Sequence, residues 1–120
     1  MAVIALVEDA VDTAELFCIM LENDVDEIRC FGNGPEFLQA FESDAFDLVL
    51  LDIALPGMNG FAVLEEVRKR DAKVPVVAVT AHAFPQHREK ALNAGFNGFI
   101  TKPIEDDRVF REQISGFLNT

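Results

Sequence analysis

The chain has 120 residues, half of them hydrophobic, with 21 acidic against 10 basic side chains and a net charge of −11. That length suits one domain with one continuous core, no run approaches the roughly 18 apolar residues of a membrane span, and the negative excess disfavours nucleic acid and anionic lipid as direct partners. The six apolar residues Ala2-Val3-Ile4-Ala5-Leu6-Val7 meet Glu8-Asp9 too early for a signal peptide, so the expectation is a cytoplasmic protein with no membrane partner.

In chain order, residues 2–7 form an apolar run rich in β-branched side chains and read as a first strand. Helical spacing follows, with Asp12 as the expected cap, Glu15 as its capping-box partner, and Thr13, Leu16, Phe17, Met20 and Leu21 as the inner face. Residues 27–31 read as a short second strand, and residues 36–41 continue a second helix after Gly34-Pro35, with Phe37, Leu38 and Phe41 buried. A third strand over 47–51 leads to a helix opened by Asn59-Gly60, where Glu65 and Lys69 have the spacing of a supporting ion pair. A fourth strand over 74–80 precedes a helix begun by Pro85 and stopped by Gly95. A short fifth strand over 98–101 precedes a helix from Ile104 onward, with Val109, Phe110, Ile114 and Phe117 apolar. Cys18 and Cys30 lack CxxC spacing and read as buried, inert thiols of a reducing compartment.

Five strands alternating with five helices predict an α/β fold with a doubly wound parallel sheet, its strongest apolar strands central and covered on both faces. In such sheets the crevice used for binding lies beyond the carboxyl ends of the central strands. Those ends carry Glu8-Asp9, Asp52 and Thr80, and Lys102 follows the fifth strand. Three carboxylates brought together repel one another unless a cation neutralises them, and an all-oxygen donor set suits Mg²⁺ better than zinc. Asp52 is then the candidate nucleophile toward phosphorus, Lys102 the point charge beside it, and Thr80 a hydroxyl donor to a phosphoryl oxygen. Singly, each residue has a plainer explanation: a strand end, a helix cap, a loop charge. Four strand ends delivering acids, a hydroxyl and an amine to one crevice favour the chemical reading.

Val7-Glu8-Asp9, Leu51-Asp52-Ile53-Ala54-Leu55-Pro56-Gly57-Met58-Asn59-Gly60, Val79-Thr80-Ala81 and Thr101-Lys102-Pro103 resemble the response-regulator receiver family in order and spacing, across the whole of residues 1–120. The resemblance implies a flavodoxin-like fold with strand order 2-1-3-4-5. It implies a two-component phosphorelay in which Asp52 accepts a phosphoryl group from a phosphohistidine on a sensor histidine kinase or a histidine phosphotransfer protein. Glu8, Asp9, Asp52 and the backbone carbonyl of Ala54 would hold Mg²⁺, with Thr80 and Phe99 as the switch pair. Output would pass to a downstream protein target through the face of the fourth helix, fifth strand and fifth helix, and the scheme admits a phosphorylation-dependent dimer. The protein would catalyse only its own phosphorylation and dephosphorylation. The Lys102-Pro103 bond would be cis, and Ala54 and His82 would flank the phosphate and set its lifetime. The main alternative is a pseudo-receiver, a binding module that is never phosphorylated. An aspartate-nucleophile phosphatase needs a second Asp where Ala54 stands, and a flavin site needs a phosphate loop where Glu8-Asp9 would repel the ligand.

Overall fold

The computed structural model describes residues 2–43, 45–55, 57–81 and 85–118. Strands β1 (Val3–Val7), β2 (Glu27–Phe31), β3 (Leu48–Asp52), β4 (Val76–Thr80) and β5 (Gly98–Thr101) alternate with helices α1 (Val11–Leu21), α2 (Gly34–Ser43), α3 (Gly60–Arg70), α4 (Pro85–Ala94) and α5 (Asp107–Leu118). The strands are all parallel in the order β2-β1-β3-β4-β5.

Strand alternation sends successive side chains to opposite faces, and both faces are buried. Ile4, Leu6, Leu48, Leu50, Val77 and Val79 pack with Ala14, Phe17 and Leu21 of α1 and with Phe110 and Ile114 of α5. Ala5, Val7, Val49, Leu51, Val76 and Ala78 instead meet Phe37 of α2, Val63, Leu64 and Val67 of α3, and Ala91 of α4. This two-sided burial explains why the central strands read as nearly continuous apolar runs.

Several boundaries differ from the expectations. β3 begins at Leu48 because the Asp47 carboxylate turns back to accept the Val3 amide at 2.8 Å. β4 begins at Val76 because Pro75 has no N–H to give a ladder. Asp12 is not the cap of α1: Ala10 occupies that position with extended backbone and no side-chain bond, and Asp12 lies in the first turn, where the helix dipole favours its charge. The inner face of α1 is therefore Ala14, Phe17 and Leu21, and Leu16 faces out at 45% exposure. α5 starts at Asp107 rather than at Ile104 because the Asp106 carboxylate accepts the amides of Arg108 and Val109, leaving Val109 exposed. Asn59 does cap α3, accepting the Ala62 amide at 3.0 Å, and Gly95 ends α4 with a φ of +114°. Lys69 pairs with Glu66 at 3.0 Å rather than with Glu65. Neither thiol is buried as expected: Cys30 is exposed on β2, an edge strand, and Cys18 on α1 is half-buried.

Candidate functional site

Register levels the strand ends. Val7 lies beside Leu51, so the next residues, Glu8 and Asp52, stand abreast; Asp52 pairs with Val79 and Thr80 with Thr101, which brings Thr80 and Lys102 to the same edge. Alternation then sorts the side chains. Glu8, Asp52 and Lys102 continue the phase of Leu6, Leu50 and Ile100, which face α1 and α5. Thr80 continues the phase of Ala78, which shares the α2, α3 and α4 side with Phe99.

The carboxylates of Glu8, Asp9 and Asp52 offer ligand oxygens that all lie within 4.8 Å of one another. Glu8 and Asp52 are buried, whereas Asp9 is exposed and forms the open side. Lys102 reaches between the buried pair, its Nζ donating to Glu8 Oε1 at 2.6 Å and to Asp52 Oδ2 at 3.0 Å. The other carboxylate oxygens are held by the backbone: the Ala10 amide donates to Glu8 Oε2 at 3.2 Å, and the Ala54 amide to Asp52 Oδ1 at 3.0 Å. Sequence reasoning placed Lys102 beside Asp52 but missed its shorter contact to Glu8, along with both amide donors.

Burial raises Glu8 above the usual carboxylate range, against the opposing pull of the Lys102 hydrogen bond and the Ala10 amide; the negative Asp52 adds to the rise. Burial also works to lower Lys102, but its hydrogen bonds to Glu8 and Asp52 and their negative charges outweigh it, so the ammonium ends above its ordinary value and stays cationic. The crevice thus holds excess negative charge that one lysine only partly compensates.

Thr80 is fully buried, and its carbonyl accepts the Lys102 amide at 2.8 Å, fixing the chain that presents the lysine. Phe99 points inward at 8% exposure, away from the carboxylates and into the core between sheet and helices. The Lys102-Pro103 peptide bond is cis. Gly60 is a position the sequence did not mark as part of the site: a Cβ there would come within 2.7 Å of the Ile53 Cα and 2.8 Å of the Asp52 carbonyl oxygen, so α3 approaches the end of β3 backbone to backbone. Pro56 and His82 lie outside the described residues.

The fit to a hard divalent ion follows from the donor set. Magnesium takes oxygen ligands at about 2.0–2.1 Å, so oxygens within 4.8 Å of one another converge on such an ion through small side-chain rotations. Among the described residues, the cluster contains no sulfur or imidazole to favour a softer metal.

The family model for the response regulator receiver domain matches residues 4–114. The chain belongs to that family. A protein of Leptolyngbya boryana, named as an uncharacterized 14.6 kDa protein in the sodA1 3' region, is 34% identical over 110 residues, covering 90% of this chain and 84% of that protein. The signal transduction histidine-protein kinase BarA of Escherichia coli K12 is 34% identical over 105 residues, which is 86% of this chain but 11% of the kinase. The chain thus corresponds to one small part of that longer protein. Among solved structures, a CheY-like receiver domain protein from Methanospirillum hungatei superposes with a TM-score of 0.89 at 29% identity, covering 99% of this chain and 94% of that one. The receiver domain of the sensor histidine kinase PA1611 from Pseudomonas aeruginosa, with a magnesium ion coordinated in its active-site cleft, gives a TM-score of 0.88 at 25% identity, covering 99% and 98% of the two chains. This receiver shares the flavodoxin-like arrangement that the sequence resemblance implies. No helix among the described residues is long and apolar enough to cross a membrane.

Proposed function

We propose that this receiver accepts a phosphoryl group on Asp52 from a phosphohistidine of a sensor histidine kinase or a histidine phosphotransfer protein, in a Mg²⁺-dependent reaction in the cytoplasm. The observation that carries the reading is the Asp52 carboxylate held between the Lys102 ammonium and the Ala54 amide, with Glu8 and Asp9 beside it. Histidine kinases among the relatives, BarA included, support such a donor.

A carboxylate oxygen of Asp52 attacks phosphorus, the P–N bond breaks with its electron pair going to the imidazole nitrogen, and that nitrogen takes up a proton as the acyl phosphate forms. A carboxylate nucleophile needs no general base, so positioning and charge neutralisation are the protein's main contribution. Glu8, Asp9, Asp52 and the carbonyl of Ala54 would hold Mg²⁺. Bound there, the ion supplies positive charge to the phosphoryl oxygens. Lys102 supplies a second positive charge, and the amide of Ala54 keeps Asp52 oriented. Thr80 and Phe99, on the same side of the sheet, make the switch: the hydroxyl moves to a phosphoryl oxygen and the ring shifts behind it, altering the face of α4, β5 and α5 read by a protein target. The domain in this scheme is a phosphoacceptor that turns over only its own phosphate.

Intact mass after incubation with acetyl phosphate and Mg²⁺ tests the reading. Wild type gains one base-labile phosphoryl group and Asp52→Asn gains none. An adduct that persists in Asp52→Asn removes Asp52 as acceptor, and no adduct on wild type favours a pseudo-receiver.

A further inference from the structure

Cys18 on α1 and Cys30 on β2 bring their sulfurs to 3.5 Å of each other. They come from two different elements, so the contact is a product of tertiary packing and not of sequence adjacency. Cys30 is exposed and Cys18 half-buried, within reach of small solutes. A disulfide bond is about 2.05 Å long, so closure requires the sulfurs to approach by roughly 1.5 Å, a displacement within reach of side-chain rotation at an edge strand. In reducing compartments such pairs persist as dithiols, and the disulfides that do form there are transient and redox-sensing.

We propose that Cys18 and Cys30 are a redox modification site, closing to a reversible intramolecular disulfide on reaction with a neutral hydroperoxide. One sulfur attacks a peroxide oxygen; the O–O bond breaks, the other oxygen leaves as alcohol or water, and the sulfur becomes a sulfenic acid. The second sulfur displaces that hydroxyl, which departs as water with the second thiol proton. Two thiols and one hydroperoxide give one disulfide, one alcohol or water, and one further water, with two electrons passing from sulfur to oxygen.

Burial around its sulfur, and then the hydrogen bond and charge of Cys18, push the Cys30 thiol up to about 11 even though the residue as a whole is exposed. The thiolate is the nucleophile in such oxidations, so a thiol raised in this way reacts slowly, and whichever sulfur takes the oxidant has the other 3.5 Å away to resolve it. The oxidant class follows from the surroundings. Glu22, Asp26 and Glu27 line the same depression as Cys18, and the chain carries a charge of −11. An anionic disulfide such as oxidised glutathione is repelled there, whereas a neutral peroxide is not.

The test uses the whole chain with hydrogen peroxide and, separately, with oxidised glutathione. With peroxide the intact mass should fall by two hydrogens and recover with dithiothreitol. Trypsin cuts after Arg29, between the two cysteines, so a cross-linked peptide pair identifies the bridge. In Cys30→Ser and in Cys18→Ser the sulfenic acid has no partner thiol to resolve it, so each variant should trap a dimedone adduct on its remaining cysteine and form no internal bridge. The oxidised protein should melt several degrees higher, since the bridge restricts the unfolded chain. Thiols that both remain alkylatable after peroxide, a bridge between two molecules, or a glutathione mixed disulfide that forms faster than the internal bond would each overturn the proposal.

Discussion

Lys102 and Glu8 form the shortest ion pair of the crevice, at 2.6 Å, although they are separated by 94 positions in the chain. The lysine ties the end of β1 to the loop after β5, with the Asp52 carboxylate as its second partner at 3.0 Å. Removing its charge leaves two buried carboxylates facing each other. Lys102→Ala should lower stability by about 1–3 kcal/mol, the usual range for leaving buried polar groups without their partner. Urea unfolding at neutral pH measures it, and a midpoint equal to wild type would mean that the two acids are neutralised in another way.

The same repulsion predicts a response to Mg²⁺. An ion that binds the folded cluster but not the unfolded chain stabilises by mass action, so the melting midpoint should rise with Mg²⁺ concentration. Asp9 is exposed and contributes to the cluster without being part of the Lys102 bridge. Asp9→Ala should therefore fold normally and lose most of the rise. An equal shift in both proteins would assign the ion elsewhere.

Gly60 sets how closely α3 docks onto β3. The atoms a Cβ would meet there are backbone, at 2.7 and 2.8 Å, and backbone cannot rotate away as the end of a flexible side chain can. Gly60→Ala should cost about 1–3 kcal/mol through overpacking, even though alanine is the better helix former. The displaced segment is that of Asp52 and Ile53, so phosphoryl acceptance from acetyl phosphate should slow as well. An unchanged unfolding midpoint would contradict the packing argument.

How much of this was legible follows from what each feature depends on. The strand ends were readable because apolar runs fix strand positions, and the doubly wound topology then places Glu8, Asp52, Thr80 and Lys102 at one edge. That Lys102 bridges Glu8 as well as Asp52 was not readable, since only the packed rotamers show that it reaches both. Helix phase failed at Leu16 for a related reason: an apolar residue at α1 satisfies the pattern whether or not the sheet is on its side, and a start at Val11 turns it outward. The thiols were misread because a small apolar side chain gives no sign of how fully its neighbours cover it: Cys30 lies on the edge strand that the implied order 2-1-3-4-5 assigns to β2, and Cys18 on α1 faces it.

Arg68 shows a structural role with no sequence signal. Its guanidinium donates to the carbonyls of Asp71 at 3.3 Å and Val74 at 2.7 Å, and to Asn97 Oδ1 at 2.8 Å, while that same amide oxygen accepts the Val76 amide at 2.9 Å. One side chain thus joins the end of α3 to the start of β4 and the turn before β5. Arg68→Lys keeps the charge but not the fork. It should destabilise nearly as much as Arg68→Ala, by about 1–2 kcal/mol in urea unfolding. A lysine variant as stable as wild type would show that charge alone suffices.

Asp24 and Arg111 give the fold a pH dependence remote from the crevice. Arg111 of α5 donates from Nε to Asp24 Oδ2 at 2.7 Å and from Nη2 to Oδ1 at 3.0 Å, a two-pronged pair just beyond the end of α1. The Arg111 hydrogen bonds hold the Asp24 carboxyl below its ordinary value against the opposing effect of burial, and the guanidinium charge adds to the lowering. A carboxyl depressed in the folded state binds fewer protons there than in the unfolded chain, so stability rises with pH across the interval between the two values. The contribution is complete above the unfolded value of about 3.9 and disappears as pH falls through the folded one. Both partners are partly exposed, with 44% and 32% of their side-chain surface accessible, so solvent and salt weaken the pair. Asp24→Asn should therefore be slightly less stable than wild type at neutral pH, and the gap should close on acidification below about pH 4 and shrink in high salt. Urea unfolding of both proteins across that range measures it, and a gap that stays constant into acid would mean that the asparagine disturbs packing and the charge has no part in it.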